Sequence, residues 1–309
     1  MCGSDAGIYE FESAFERMEL PTVVGHEYAG RVVEVGTPSR SPRSATVPSN
    51  GPSAAVMTVI STRWVKRTSV TARPSPASTT TGPSSRISPC PDGALPRLDV
   101  VEQKHAATVE PTTVATRAVI ENSRIRAGDR VLVQGPGPSG LLTAQVARAQ
   151  GGEVVVSGVG QDAKYRLPLA EDLGFETINV AEDDLEAYRE TLTDRVGYDV
   201  VFDMTGHPSG IPTAVDEVRK GGQIALIGQT VETTMPYSSL VRAEIDLQCS
   251  YMSMYQDFEH ALRLIGSGEV DAATFIDDRF SLLDADEAFE TFVEGGTVKP
   301  IFNVSELRK

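Results

Sequence analysis

Two groups of residues in this chain have types and spacings suited to chemistry. Gly135, Gly137 and Gly140, in RVLVQGPGPSG, have the G-x-G-x-x-G spacing between an apolar run ending in Val133 and the apolar stretch Leu141–Gln150. In such an array the first glycine makes the tight turn and the second lets the backbone approach a pyrophosphate. The third lets helix and strand pack closely, and the anion meets free N–H groups at the helix start. The other group is dispersed: Cys2 in CGSD, His26 and Glu27 in GHEYAGRVVEVG, and Glu110 in VEPTTVATRAV. Zinc accepts thiolate, imidazole and carboxylate, and a catalytic site keeps one position open for water or substrate. Taken singly, each has a plain reading: a terminal thiol, a turn histidine, two surface acids.

The elements expected to position the glycines follow a regular alternation. Strands are predicted at Glu153–Gly158, Glu176–Val180, Tyr198–Met204, Gln223–Gly228 and Glu244–Met252. Helices are predicted at Lys164–Leu173, Leu185–Thr193, Ile211–Lys220 (stopped by Gly221-Gly222) and Met254–Gly266. Near-continuous apolar strands alternating with helices predict an α/β fold with a doubly wound parallel sheet of the Rossmann kind. Ligands of such sheets lie at the carboxyl ends of the strands. That groups Gly135, Gly137, Pro138, Ser139 and Gly140 with Ser157-Gly158, Thr205-Gly206 and Ile227-Gly228 around one nicotinamide dinucleotide. Readers of NAD carry an acid near the end of the second strand. Here Ser157-Gly158 stands there, with Asp162, Lys164 and Arg166 beyond, which leans toward NADP over NAD; the competing reading is that Lys164 and Arg166 merely decorate a helix start.

With 309 residues, 40% hydrophobic and 23% charged, the chain has the size and composition of a globular protein of about two domains. No apolar run approaches the roughly 18 residues of a membrane span, and MCGSDAGIYEFESAFERMEL has no secretory pattern. Three scattered cysteines make no disulfide framework, so a reducing, cytoplasmic setting is expected. A net charge of −15 argues against nucleic-acid partners and suits a halophilic source or an ordinary acidic protein. Thr37–Pro91 departs from this pattern: it holds seven Arg and Lys but no acid, and more than half of it is Ser, Thr or Pro. Such a segment cannot bury enough apolar surface to offset chain entropy, which predicts disorder. A linker, an insertion and an out-of-frame translation are the competing origins; the last also accounts for the motifs that stop at its edges.

CGSD, GHEYAGRVVEVG, VEPTTVATRAV and RVLVQGPGPSGLL, with YDVVFDMTG and FSLLDADEAFETFVEGGTVKPIF, occur in the order found in the zinc-containing medium-chain alcohol and polyol dehydrogenases. The chain resembles that family over residues 1–36 and about 105–309, and Glu110-Pro111 is similar to its sorbitol and threonine dehydrogenase branch. The resemblance implies an oxidoreductase that moves hydride between a secondary alcohol or polyol and NAD(P), working as a dimer or tetramer. It implies Cys2 and His26 as ligands of a catalytic zinc, Glu27 as a close or exchanging ligand, and Glu110 as a ligand or water-mediated partner. It further implies Ser4 as the group passing on the substrate hydroxyl proton, and Lys299 as a cation near the cofactor pyrophosphate.

The implied organisation is a partial, GroES-like β-rich catalytic domain (1–36), the anomalous segment (37–104), a catalytic-domain remainder (105–117), a dinucleotide-binding domain (118–252) and a return to the catalytic domain (253–309). The family's strands before CGSD, the histidine after it and the four-cysteine structural zinc site are missing. An incomplete catalytic domain is therefore expected, and a remnant that binds nucleotide without turnover is the alternative reading. A zinc-free quinone reductase is disfavoured by the His26-Glu27 pair.

Overall fold

The computed structural model describes residues 1–10, 24–31, 56–58, 103–230, 232–277 and 279–303. Its elements are α1 (Gly3–Tyr9), β1 (Ala29–Arg31), β2 (Val56–Thr58), α2 (Val109–Thr116), β3 (Arg130–Gln134), α3 (Pro138–Ala149), β4 (Glu153–Gly158), α4 (Arg166–Asp172), β5 (Glu176–Asn179) and α5 (Leu185–Leu192). There follow β6 (Tyr198–Asp203), α6 (Gly210–Glu217), β7 (Val218–Leu226), α7 (Tyr237–Arg242), β8 (Asp246–Cys249), α8 (Tyr255–Ser267), β9 (Ile276–Asp277), α9 (Ala285–Val293) and β10 (Lys299–Pro300).

Six strands form one sheet in the order β5-β4-β3-β6-β7-β8, every neighbouring pair parallel. This is the predicted doubly wound sheet, and strand order reverses between β3 and β6, the place where ligands of such sheets bind. The period of two along β3 divides its side chains between two cores. Val131 and Val133 pack with Leu141, Ala144 and Val156 on one face. Leu132 packs with Val155, Val201, Ile224 and Ala214 on the other. Burial on both faces is what the near-continuous apolar strands require. No described helix is long and apolar enough to cross a membrane.

Three local expectations change. The helix predicted to reach Lys220 ends at Glu217, and β7 begins at Val218. Gly221-Gly222 therefore lies inside a strand, at a register irregularity against β6, and does not cap a helix. A methyl group on Gly222 would come within 2.6 Å of the Val218 side chain, so the pair serves the close strand path. The helix predicted from Lys164 starts at Arg166, after a 3-10 turn over Gly160–Lys164. Within the segment expected to be disordered, Val56–Thr58 forms a strand antiparallel to β1. Two β-branched residues in three suit a strand, and β1 supplies an edge to pair with. The rest of 37–102 lies outside the described residues, as does Cys90.

Glu217, at the end of α6, is buried, with Oε1 3.7 Å from Arg189 Nη1 and no hydrogen-bond partner for Oε2. Burial raises its carboxyl to about 7, helped by Asp216, Glu186 and Asp184 and opposed by Arg189. A carboxyl whose folded value lies above its unfolded one loses stability as pH climbs between the two. Glu217→Gln carries no charge, so its stability relative to the parent should rise between about pH 4.5 and pH 7 and level off outside that range. The gain should be on the order of 1–3 kcal/mol. Urea unfolding at pH 4 and pH 8 measures it; a difference independent of pH would reject the argument.

Candidate functional site

The CGSD motif makes a small, well-tied structure. Cys2 precedes α1, and Asp5, in its first turn, accepts the Cys2 N–H at 2.9 Å through Oδ2. Asp5 Oδ1 accepts the Gly25 N–H at 3.0 Å and stands 3.5 Å from His26 Nδ1. Gly25 has φ +97°, a conformation open chiefly to glycine, and this turn swings His26 and Glu27 toward α1. One ligand atom each from Cys2, His26 and Glu27 then lies within 4.8 Å of the others.

The charges are strongly coupled. For His26, burial alone would lower the imidazole, but the hydrogen bond to Asp5, with Cys2 and Glu27 nearby, carries it up to about 11. For Asp5, burial acts upward, yet the hydrogen bond and charge of His26 hold the carboxyl at about 2. Glu27 is opposed by burial and lowered by Lys299, the N-terminal ammonium and His26. Lys299 Nζ donates to Glu27 Oε2 and to the Met1 carbonyl, the latter at 2.9 Å. Glu27 Oε1 is buried and has no hydrogen-bond partner. A carboxylate with one orphaned oxygen, beside a thiol and an imidazole, is the donor set that zinc takes, and the residues fit the ion.

Glu110, on α2, feels the same charges: burial and Glu27 raise it to about 7 against His26 and Lys299. It neighbours the cluster without belonging to the three residues that converge. Ser4 is half-buried on α1, two residues past Cys2. Lys299, expected beside the pyrophosphate, lies against Glu27, whose carboxylate offsets the burial of its fully enclosed ammonium.

The second constellation gathers at the carboxyl ends of β3, β4, β6 and β7. Gly137 leads into α3, with Pro138 in its first turn, where an N–H is dispensable. Ser139 and Gly140 follow, with first-turn N–H groups that have no helical acceptor. Gly135 N–H bonds the Ser157 carbonyl at 2.8 Å, tying the glycine loop to β4. A methyl on Gly135 would touch Thr205 at 3.3 Å, and one on Gly158 would touch Pro136 at 3.0 Å. Ile227 and Gly228 both donate to the Asp203 carbonyl, at 3.1 and 2.9 Å, and a methyl on Gly228 would lie 2.9 Å from Thr205 N. The glycines, Ser157-Gly158, Thr205-Gly206 and Ile227-Gly228 therefore do come together. Gly158 has no room for a larger side chain, since Leu167 and Asp162 also close on it.

Residues 138–267 match the family model described as zinc-binding dehydrogenase. That stretch of the chain is similar to the zinc-binding dehydrogenases. The chain is 32% identical over 202 residues to a sorbitol dehydrogenase of Halalkalibacterium halodurans, covering 64% of this chain and 58% of that protein. The match thus spans less than two thirds of that relative's length. An L-threonine 3-dehydrogenase of Anaeromyxobacter is 28% identical over 309 residues, covering 98% of this chain and 88% of its own. The fold superposes on 2R,3R-butanediol dehydrogenase from Bacillus subtilis with a TM-score of 0.78 at 23% identity, over 98% of this chain and 89% of that one.

One residue carries more of the site than the sequence suggested, and another carries less. Asp5 is the buried acceptor that joins Cys2, Gly25 and His26; its signal was its place in the first turn of a helix beginning at Gly3. Arg166, offered with Lys164 as a cation for a 2′-phosphate, is engaged elsewhere. Its guanidinium bonds the carbonyls of Phe292 at 2.7 Å and Thr297 at 3.3 Å and pairs with Asp162 at 3.4 Å. Lys164 is exposed.

Proposed function

We propose that the chain is a zinc-dependent oxidoreductase that moves hydride between a secondary alcohol or polyol and a nicotinamide dinucleotide. The observation that supports this reading best is the convergence of Cys2, His26 and Glu27 within 4.8 Å, with Glu27 Oε1 left without a partner. Cys2 and His26 hold the metal, Glu27 stands as the close carboxylate, and Glu110 reaches it directly or through water. Zinc at this place supplies Lewis acidity toward an alcohol oxygen. Asp5 fixes the imidazole, as a carboxylate behind a ligating histidine does, and Ser4 passes the hydroxyl proton away. The Gly135–Gly140 loop and the α3 N-terminus take the pyrophosphate. Ser157-Gly158 offers no carboxylate to the ribose, which favours NADP, with Lys164 as the remaining cation. The chain acts as a homo-oligomer, pairing along the β8 edge.

The test is alcohol-dependent reduction of NADP and NAD by the zinc-loaded protein across a panel of polyols and secondary alcohols, followed by absorbance. Activity should vanish on chelation, return with zinc, and be absent in Cys2→Ala. A protein that binds NADPH but holds substoichiometric zinc and oxidises no alcohol is the non-catalytic remnant, and that result rejects the enzyme.

A further inference from the structure

The two oxygens of Glu27 have different surroundings. Oε2 accepts from Lys299 Nζ and lies 3.3 Å from the α-ammonium of Met1, whereas Oε1 is enclosed and bonds to nothing. Lys299 is only 1% exposed and also donates to the Met1 carbonyl at 2.9 Å. Its backbone is anchored as firmly as its tip. Lys299 pairs with Ile276 in the β10–β9 ladder. Two residues earlier, Thr297 Oγ1 donates to Asp277 Oδ2 at 2.8 Å, and the Thr297 carbonyl accepts from Arg166. The ammonium therefore reaches Glu27 from a fixed strand 272 residues away in sequence.

We infer that Lys299 is a positioning residue: it occupies Oε2 of Glu27 and leaves Oε1 alone free for a metal shared with Cys2 and His26, so that Glu27 would meet the metal through one oxygen. The inference rests on the metal-site reading given under Proposed function. Chelation through both oxygens would place the metal cation and the Lys299 ammonium on the same buried Oε2. Two cations crowded on one enclosed oxygen repel each other, a cost set against one additional bond. One-oxygen ligation keeps the ion pair and satisfies the orphaned Oε1 in the same arrangement, so both buried groups gain from it.

Infrared difference spectra of zinc-loaded minus metal-free protein test this without altering Lys299, the Glu27 bands being assigned by their loss in Glu27→Gln. A wide separation of the antisymmetric and symmetric carboxylate stretches is expected for one-oxygen binding. A narrow separation, or no metal-induced shift of a Glu27 band, overturns the inference. Cobalt(II) absorption gives a second readout. In Lys299→Met, Glu27 is free to offer both oxygens, so the visible bands should weaken and shift. Lys299→Gln retains a donor for Oε2 and should keep the parent spectrum. The Lys299→Met change should disappear when Glu27→Gln is also present; an unchanged Lys299→Met spectrum, or the same change in both backgrounds, overturns the role given to Lys299. The thiolate-to-cobalt charge-transfer band, lost in Cys2→Ser, reports the metal site separately. Its absence from the parent protein overturns both readings, whereas its presence alongside a failed Lys299 result overturns this one alone.

Discussion

Gly140→Ala should abolish NADPH binding and lower the stability of the protein by about 3 kcal/mol or more. A methyl group at Gly140 would fall inside the carbonyl oxygen of Gly135 and 3.1 Å from its carbon. These are backbone atoms, so no rotamer change relieves the overlap, and the loop itself must move. Gly135 cannot yield easily, because its N–H is bonded to the Ser157 carbonyl and its φ is +97°. The loop that presents N–H groups to the pyrophosphate is therefore pushed out of shape. Gly137 provides the contrast. Nothing lies within 4 Å of a methyl group there, so Gly137→Ala should unfold at the parent's temperature. It should still bind NADPH more weakly, since the second glycine is where the cofactor's phosphates approach the backbone. Thermal unfolding together with a fluorescence titration of NADPH separates the two. Equal losses of stability in both variants would show that the glycines serve packing alone.

The difference between these glycines marks what was legible in the sequence. The spacing of Gly135, Gly137 and Gly140 and the apolar runs around them report local geometry, and the parallel sheet follows because local periodicity decides which faces are buried. Thr205-Gly206 and Ile227-Gly228 were legible for the same reason: each ends an apolar strand, and strand ends of a doubly wound sheet converge. Helix ends were less so. Gly221-Gly222 looks like a stop signal, and only the pairing of β7 with β6 reveals that it serves a strand. Cys2, His26 and Glu27 were candidates by type and were joined only by the family resemblance, and their second partners were not legible at all. Lys299 stands 272 residues from Glu27, and no periodicity links them. The resemblance placed its charge near the cofactor pyrophosphate, and only the folded chain shows it against Glu27. Arg166 is a similar case: carbonyls of Phe292 and Thr297, far along the chain, hold its guanidinium.

Asp5→Ala should lower zinc affinity by about 10- to 100-fold and destabilise the metal-free protein by about 3–5 kcal/mol. Asp5 is 3% exposed and takes the N–H groups of Cys2 and Gly25 while facing His26 Nδ1. Removing its carboxylate leaves those two amides without their acceptor and strips the half-buried imidazole of its anion. The effect on zinc has a separate origin. Once Nε2 gives up its own proton to let the metal in, a proton kept on Nδ1 by Asp5 leaves Nε2 as the ligand atom and sets the plane of the ring. Without Asp5 the ring must be ordered at the moment of binding. Asp5→Asn distinguishes the contributions of geometry and charge, because its amide oxygen can still accept from Cys2 or Gly25 while the charge opposite His26 is gone. Affinity measured by competition with a chromophoric chelator, beside urea unfolding of the metal-free form, resolves them. Asp5→Asn should recover part of the folding stability and little of the zinc affinity. If it recovered both in full, the charge of Asp5 would be irrelevant to the site and its hydrogen bonds sufficient.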